Sequence, residues 1–162
     1  FRRIINFLAS MPPGRVKTNT ISTRTGMNNR TVDHYLEILQ RTGLVKALHP
    51  NAHGNQILSK PAKLFIDNTT LLSAMNAFLS AEIETGTMRE LVFLQSMVGA
   101  GLQVFYPEKG DFQFGDVVFE VGGKNKTAQQ LKSVKQSKFI VKDNMLIGRG
   151  NEIPLYLFGF LY

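Results

Sequence analysis

The stretch Asn28-Asn29-Arg30-Thr31-Val32-Asp33-His34-Tyr35-Leu36-Glu37-Ile38-Leu39-Gln40-Arg41-Thr42-Gly43 decides how the first half of the chain folds. Asn28 is a good N-cap, because its short side chain can accept a hydrogen bond from a free N–H of the first turn, and Gly43 is a natural stop. Between them Val32, Tyr35, Leu36 and Leu39 recur at helical spacing as one apolar stripe, which predicts an amphipathic helix. Asn29, Arg30, Asp33, His34, Glu37 and Arg41 fall on its other faces, and the first turn is polar and basic.

Working upstream, residues 18–25 predict a shorter helix ended by Gly26, and residues 1–11 carry Phe1, Ile4, Ile5 and Leu8 at helical spacing before Pro12-Pro13-Gly14 terminates them. Downstream, residues 44–48 alternate toward strand character, residues 49–55 have turn chemistry, and residues 56–59 can return as a partner strand. Helices, a turn and a hairpin in this order predict a winged helix-turn-helix domain over residues 1–66. In that arrangement the second helix of the pair fits a major groove and the hairpin reaches phosphates. Asn29, Arg30, Thr31 and His34 are then the candidates for base contacts, and Arg24, Lys46, His53, Lys60 and Lys63 those for phosphate contacts.

Charge agrees with this division. The chain carries a net +7, and all of it falls in residues 1–80, which hold ten Lys/Arg against three Asp/Glu; residues 81–162 hold nine of each. A polyanionic partner, DNA above all, therefore belongs to the first half. The three histidines have no Cys or carboxylate grouping around them and read as surface residues. Cysteine is absent, which excludes disulfides and thiolate metal sites and points to a reducing, cytoplasmic setting. No apolar run approaches the roughly 20 residues that span a bilayer, so no membrane role is expected. The sequence opens on Phe1 and directly on a helical pattern, which is read as the continuation of a longer protein.

Residues 63–67 read as a strand. Asn68 is then positioned to cap an apolar helix through Leu71, Leu72, Met75 and Phe78, expected to act as a linker over residues 67–86. Thr87-Met88-Arg89-Glu90 has capping-box spacing ahead of Leu91, Val92, Leu94 and Met97, which predicts a helix starting there and a second domain over residues 87–162. Strands are expected at 103–106, 111–114, 117–121 and 138–141, with a helix near 127–134. The apolar, aromatic run 155–162 is expected to add a buried strand. On the third strand Glu120, Gly122 and Lys124 share a face by the two-residue period, and Asp111 begins the strand before it. Two carboxylates and a lysine are the residue types for Mg²⁺-dependent phosphodiester hydrolysis, with Asp111 and Glu120 as oxygen ligands and Lys124 steadying charge.

The chain resembles the C-terminal region of predicted AAA+-type ATPases of bacteria and archaea, whose tail is an uncharacterised domain with a restriction-endonuclease-like core. The resemblance rests on Thr31-Val32-Asp33-His34-Tyr35-Leu36-Glu37-Ile38-Leu39 with Thr42-Gly43-Leu44-Val45, and on Lys63-Leu64-Phe65-Ile66-Asp67-Asn68-Thr69-Thr70-Leu71-Leu72. Glu90-Leu91-Val92-Phe93, Asp111-Phe112 and Glu120-Val121 continue the series. It implies a winged helix followed by a small restriction-endonuclease-like α/β domain, α+β or α/β in class, with ATP bound by a part upstream of this sequence. No G-x-x-x-x-G-K-[ST] loop occurs within it. The endonuclease-like pattern places a lysine two residues after the glutamate; here that position is Gly122, and Lys124 is displaced by two.

Three functions stay open from the residues: a DNA-binding and regulatory tail whose nuclease-like domain is inactive, an active Mg²⁺-dependent endonuclease, and a docking module. The docking reading takes a partner protein or a neighbouring subunit, on the strength of the apolar linker helix and the aromatic C-terminus; the chain's own ATPase domain and a second copy of itself are also expected partners.

Overall fold

Arg2–Ala9 forms helix α1, which turns Ile4, Leu8 and Ala9 inward and leaves Arg2 and Arg3 exposed. A two-residue strand β1, Gly14–Arg15, separates it from α2, Thr18–Thr25, whose last turn closes on Gly26. Gly26 takes φ of +69°, a left-handed conformation that costs a Cβ-bearing residue about 1–2 kcal/mol. Helix α3 spans Asn29–Arg41, and the Asn28 side chain accepts from the Thr31 N–H at 2.9 Å, as the capping pattern predicts. Val32, Leu36 and Leu39 are buried, and Tyr35 is half-buried with its ring edge-on to Phe1 at 5.8 Å. The computed structural model describes residues 1–51, 62–131 and 133–161.

Strands β2, Val45–Leu48, and β3, Lys63–Ile66, pair antiparallel from Val45–Ile66 to Leu48–Lys63, and β1 pairs β3 on its other edge. The sheet order is thus β1-β3-β2. The described partner of β2 is β3; the partner strand expected at 56–59 lies outside the described residues. Helix α4, Thr69–Leu79, is capped by Asn68, which accepts from the Leu71 N–H at 2.8 Å. It is not a free linker. Leu72 and Asn76 are buried, and Asn76 binds the end of α1. Its inward face is rotated from the expected one, so that Phe78 stands 70% exposed with the Arg2 guanidinium over its ring at 5.1 Å.

Two compact units divide the chain, one of Phe1–His49 with Gly54–Glu84, the other of Pro50–His53 with Thr85–Tyr162. The second is built on helix α5, Thr85–Gly99. That helix begins two residues before the expected start, so Thr87 is a buried first-turn residue and not a cap, and the expected capping box does not form. Strands β4, Phe112–Phe114, β5, Val117–Gly122, β6, Ser137–Lys142, and β7, Glu152–Pro154, make a sheet in sequence order. β4 is antiparallel to β5, while β5, β6 and β7 are parallel.

Other expected elements shrink. The strand at 103–106 is reduced to a bridge of Phe105 to Gln113, and the helix at 127–134 to a single 3₁₀ turn over Ala128–Leu131. Leu155–Phe160 is a 3₁₀ helix, not a strand: Leu155 and Phe158, three apart, both point inward, which a three-residue turn allows and strand alternation does not. Phe158 meets Phe93 of α5 at 4.7 Å between ring centroids, and Phe93 also touches Phe112 and Phe119 at 4.9 and 5.2 Å. This aromatic knot is the core of the unit. The molecule is therefore mixed α+β, with two small sheets among the described residues. None of its described helices is long and apolar enough to cross a membrane.

Candidate functional site

Two groups of side chains carry chemistry, one in each unit. In the first unit, burial of Val32, Leu36 and Leu39 leaves Asn29, Arg30, Asp33 and His34 exposed on the N-terminal half of α3. Thr31 is half-buried and its N–H is taken by the cap. Arg30 makes no ion pair among the described residues, and Arg24, exposed on the last turn of α2, makes none either. Asp33 accepts from the Thr18 hydroxyl at 2.6 Å, tying the start of α2 to α3 and putting one negative charge on the otherwise basic face.

Lys46 is placed differently from its expected phosphate-contacting role. Its ammonium binds the Asp67 carboxylate and donates to the Asp67 carbonyl at 2.9 Å, so its charge is already met within the sheet. Burial pushes the Asp67 carboxyl up, but the hydrogen bonds from Lys46 and Asn68 and the Lys46 charge outweigh it and hold the group below its ordinary 3.8. Lys63 is half-buried, with its ammonium over the Phe65 ring at 5.6 Å. His53 and Lys60 lie outside the described residues.

In the second unit, Asp111 and Glu120 do come together. The Asp111 N–H donates to the Phe119 carbonyl at 2.9 Å and the Val121 N–H donates to Asp111 Oδ2 at 2.8 Å, so Asp111 is clamped to the backbone on both sides of Glu120. Glu120 is fully buried. The lysine that reaches it is Lys126, with Nζ 2.6 Å from Glu120 Oε1, and not Lys124, which is exposed and makes no ion pair among the described residues. The period-two rule fails for Lys124 because β5 ends at Gly122.

Lys126 is half-buried. Burial pulls its ammonium down, while the hydrogen bond and charge of Glu120 and the charges of Asp111 and Glu90 more than reverse this and hold it above the ordinary lysine range. The charge of Glu90 on α5 thus acts on Lys126 as well, which the capping spacing of residues 87–90 does not suggest. Beside it on α5, Arg89 Nε pairs with Asp143 Oδ2 at 3.0 Å, and its guanidinium closes over Gly123.

Mg²⁺ would need open oxygen ligands here. The Glu120 carboxylate already faces an ammonium, and one Asp111 oxygen accepts a backbone N–H. Among the described residues no three His, Cys, Asp or Glu side chains are grouped to hold a metal ion. In this arrangement the residues present do not fit a divalent cation.

No curated protein and no solved structure matches the chain. A family model does match it, over residues 1–82, which takes in α1 to α4 and the first sheet. With half of its length so matched, the chain belongs to the family of the domain of unknown function DUF8612.

Proposed function

We propose that the first unit is a winged helix that binds duplex DNA through the N-terminal half of α3. In this reading the chain serves as the DNA-binding and regulatory tail of a larger ATPase, and its second unit is restriction-endonuclease-like in fold but non-catalytic. The observation that carries the proposal is the exposed set Asn29, Arg30 and His34, held on a helix whose start is fixed by the Asn28 cap and whose opposite face is locked into the core. Helix N-terminal side chains of this kind match base edges, and exposed arginine matches phosphate or guanine. The element order helix, strand, helix, helix and two strands, with sheet order β1-β3-β2, supports the winged-helix reading, as does the concentration of net charge in residues 1–80.

The test is a fluorescence-anisotropy titration of labelled duplex across a salt series. Binding with a steep salt slope is expected, and Arg30→Ala should cost about 1–3 kcal/mol. Affinity undetectable at low salt, or indifferent to that substitution, sinks the proposal.

A further inference from the structure

We infer that Lys126 is the resident cation of the carboxylate pair formed by Glu120 and Asp111, that the bare Cα of Gly122 admits its stem, and that it closes this place to divalent metal ions. The inference deepens the non-catalytic reading of the second unit and is independent of DNA binding by the first.

The first argument is steric. A Cβ built on Gly122 would lie 2.7 Å from Lys126 Cγ and Cδ and 2.8 Å from Lys126 Cβ, closer than Cβ contacts in folded proteins come. The aliphatic stem of Lys126 thus runs through the space a side chain at position 122 would fill. That space lies on the Glu120 face of β5, two residues on. The loop is shaped to bring the stem back, since the Lys126 N–H donates to the Gly123 carbonyl at 2.9 Å and closes a turn over Lys124 and Asn125. A lysine at 122 and the lysine at 126 are therefore mutually exclusive occupants of one place.

The second argument is electrostatic. An ionised carboxylate with no solvent exposure, as at Glu120, is stabilised by a charge partner fixed against it, because the unmatched ion loses several kcal/mol of hydration. Nζ at 2.6 Å supplies that partner. A divalent ion ligated by the same oxygen at about 2.0–2.6 Å would sit against the ammonium in a poorly solvated setting, and the two cations would repel. Metal ligation by Glu120 Oε1 therefore competes with the Lys126 ammonium, whose stem is packed where Gly122 makes room.

The experiment measures Mn²⁺ binding to the full chain by electron paramagnetic resonance, for wild type, Lys126→Met, Gly122→Ala and the double variant Lys126→Met with Glu120→Gln. Lys126→Met should bind one Mn²⁺ about ten-fold or more tighter than wild type. The double variant should lose that gain, which assigns it to the Glu120 carboxylate. Gly122→Ala keeps every charged group but displaces the lysine stem, and it should bind Mn²⁺ more tightly than wild type as well. Wild type binding Mn²⁺ as tightly as Lys126→Met overturns the inference. Should Lys126→Met fail to melt cooperatively, Gly122→Ala decides: tighter binding than wild type supports the closed site, and unchanged binding overturns it. A failed DNA titration leaves all of these outcomes untouched.

Discussion

The side-chain amide of Asn76, in α4, donates to the carbonyl of Ala9 at the end of α1, at 3.0 Å, and shares its Nδ2 with the Leu72 carbonyl at the same distance. Both neighbours are acceptors, so the amide nitrogen is the end that faces them, and among the described residues the buried Oδ1 has no hydrogen-bond partner. The residue ties α4 to the first unit. Asn76→Ala is expected to lower the stability of that unit by about 1–3 kcal/mol, because the Ala9 carbonyl keeps its burial and loses its donor. Asn76→Asp should be worse, placing a carboxylate against two carbonyls. Urea melts followed by circular dichroism distinguish the two.

Lys46 and Asp67 join β2 to the turn before α4, and the pairing has a pH signature. Asp67 titrates below its ordinary 3.8 when folded, so its contribution is fully present above that value and disappears as the pH falls through the lowered one. Asp67→Asn should therefore be less stable than wild type at neutral pH, with the difference shrinking to nothing in strong acid. Melting temperatures from pH 7 downward check the convergence; a difference that persists in acid would show that the carboxylate's charge is not what stabilises.

Asp33 puts a negative charge one turn from Arg30 on the exposed face of α3. Under the DNA-binding proposal it opposes the phosphates, and Asp33→Asn is expected to tighten duplex binding by roughly two- to ten-fold at low salt, with the gain fading as salt rises. Anisotropy titrations at two salt concentrations suffice. Weaker binding would mean that the tie to Thr18, which positions α3, matters more than the charge.

Phe93 is fully buried among Phe112, Phe119 and Phe158. Phe93→Ala should cost the second unit about 3–5 kcal/mol, by lost burial and by the cavity left behind. Near-UV circular dichroism and a thermal melt would report it, and a loss below about 1 kcal/mol would place the core elsewhere.

The elements that could be read from the sequence are those whose ends are marked by local chemistry. Asn28, Gly26 and Asn68 bound their helices as their side chains or backbone freedom dictate, and the run of β-branched and aromatic residues at 117–121 marks β5. What escaped was decided by packing at a distance. The run from Leu155 is rich in strand-forming residues, yet it winds as a 3₁₀ helix because Phe158 must reach Phe93. Thr87 and Glu90 have the spacing of a capping box, but a helix start two residues earlier turns Thr87 into the core. In the candidate site, Asp111 and Glu120 were legible as a converging pair, whereas Lys126 was not, since nothing in strand periodicity describes a loop that turns back after the strand has ended. The local sign was Gly122, a residue with no side chain at the end of a strand face that carries Glu120.

The aromatic knot also sets an order of events. Phe93 and Phe158 are separated by 65 residues of chain, and the parallel pairing of β5 with β6 and of β6 with β7 must be made between them. Contacts of such long range are slow to form, because the loop entropy is lost before the burial is gained. During synthesis the Phe93 face of α5 lacks the Phe158 ring that covers part of it until residue 158 has left the ribosome. By then every residue of α1 to α4 has already emerged, so the basic unit can close while its neighbour is still waiting for its last aromatic side chain.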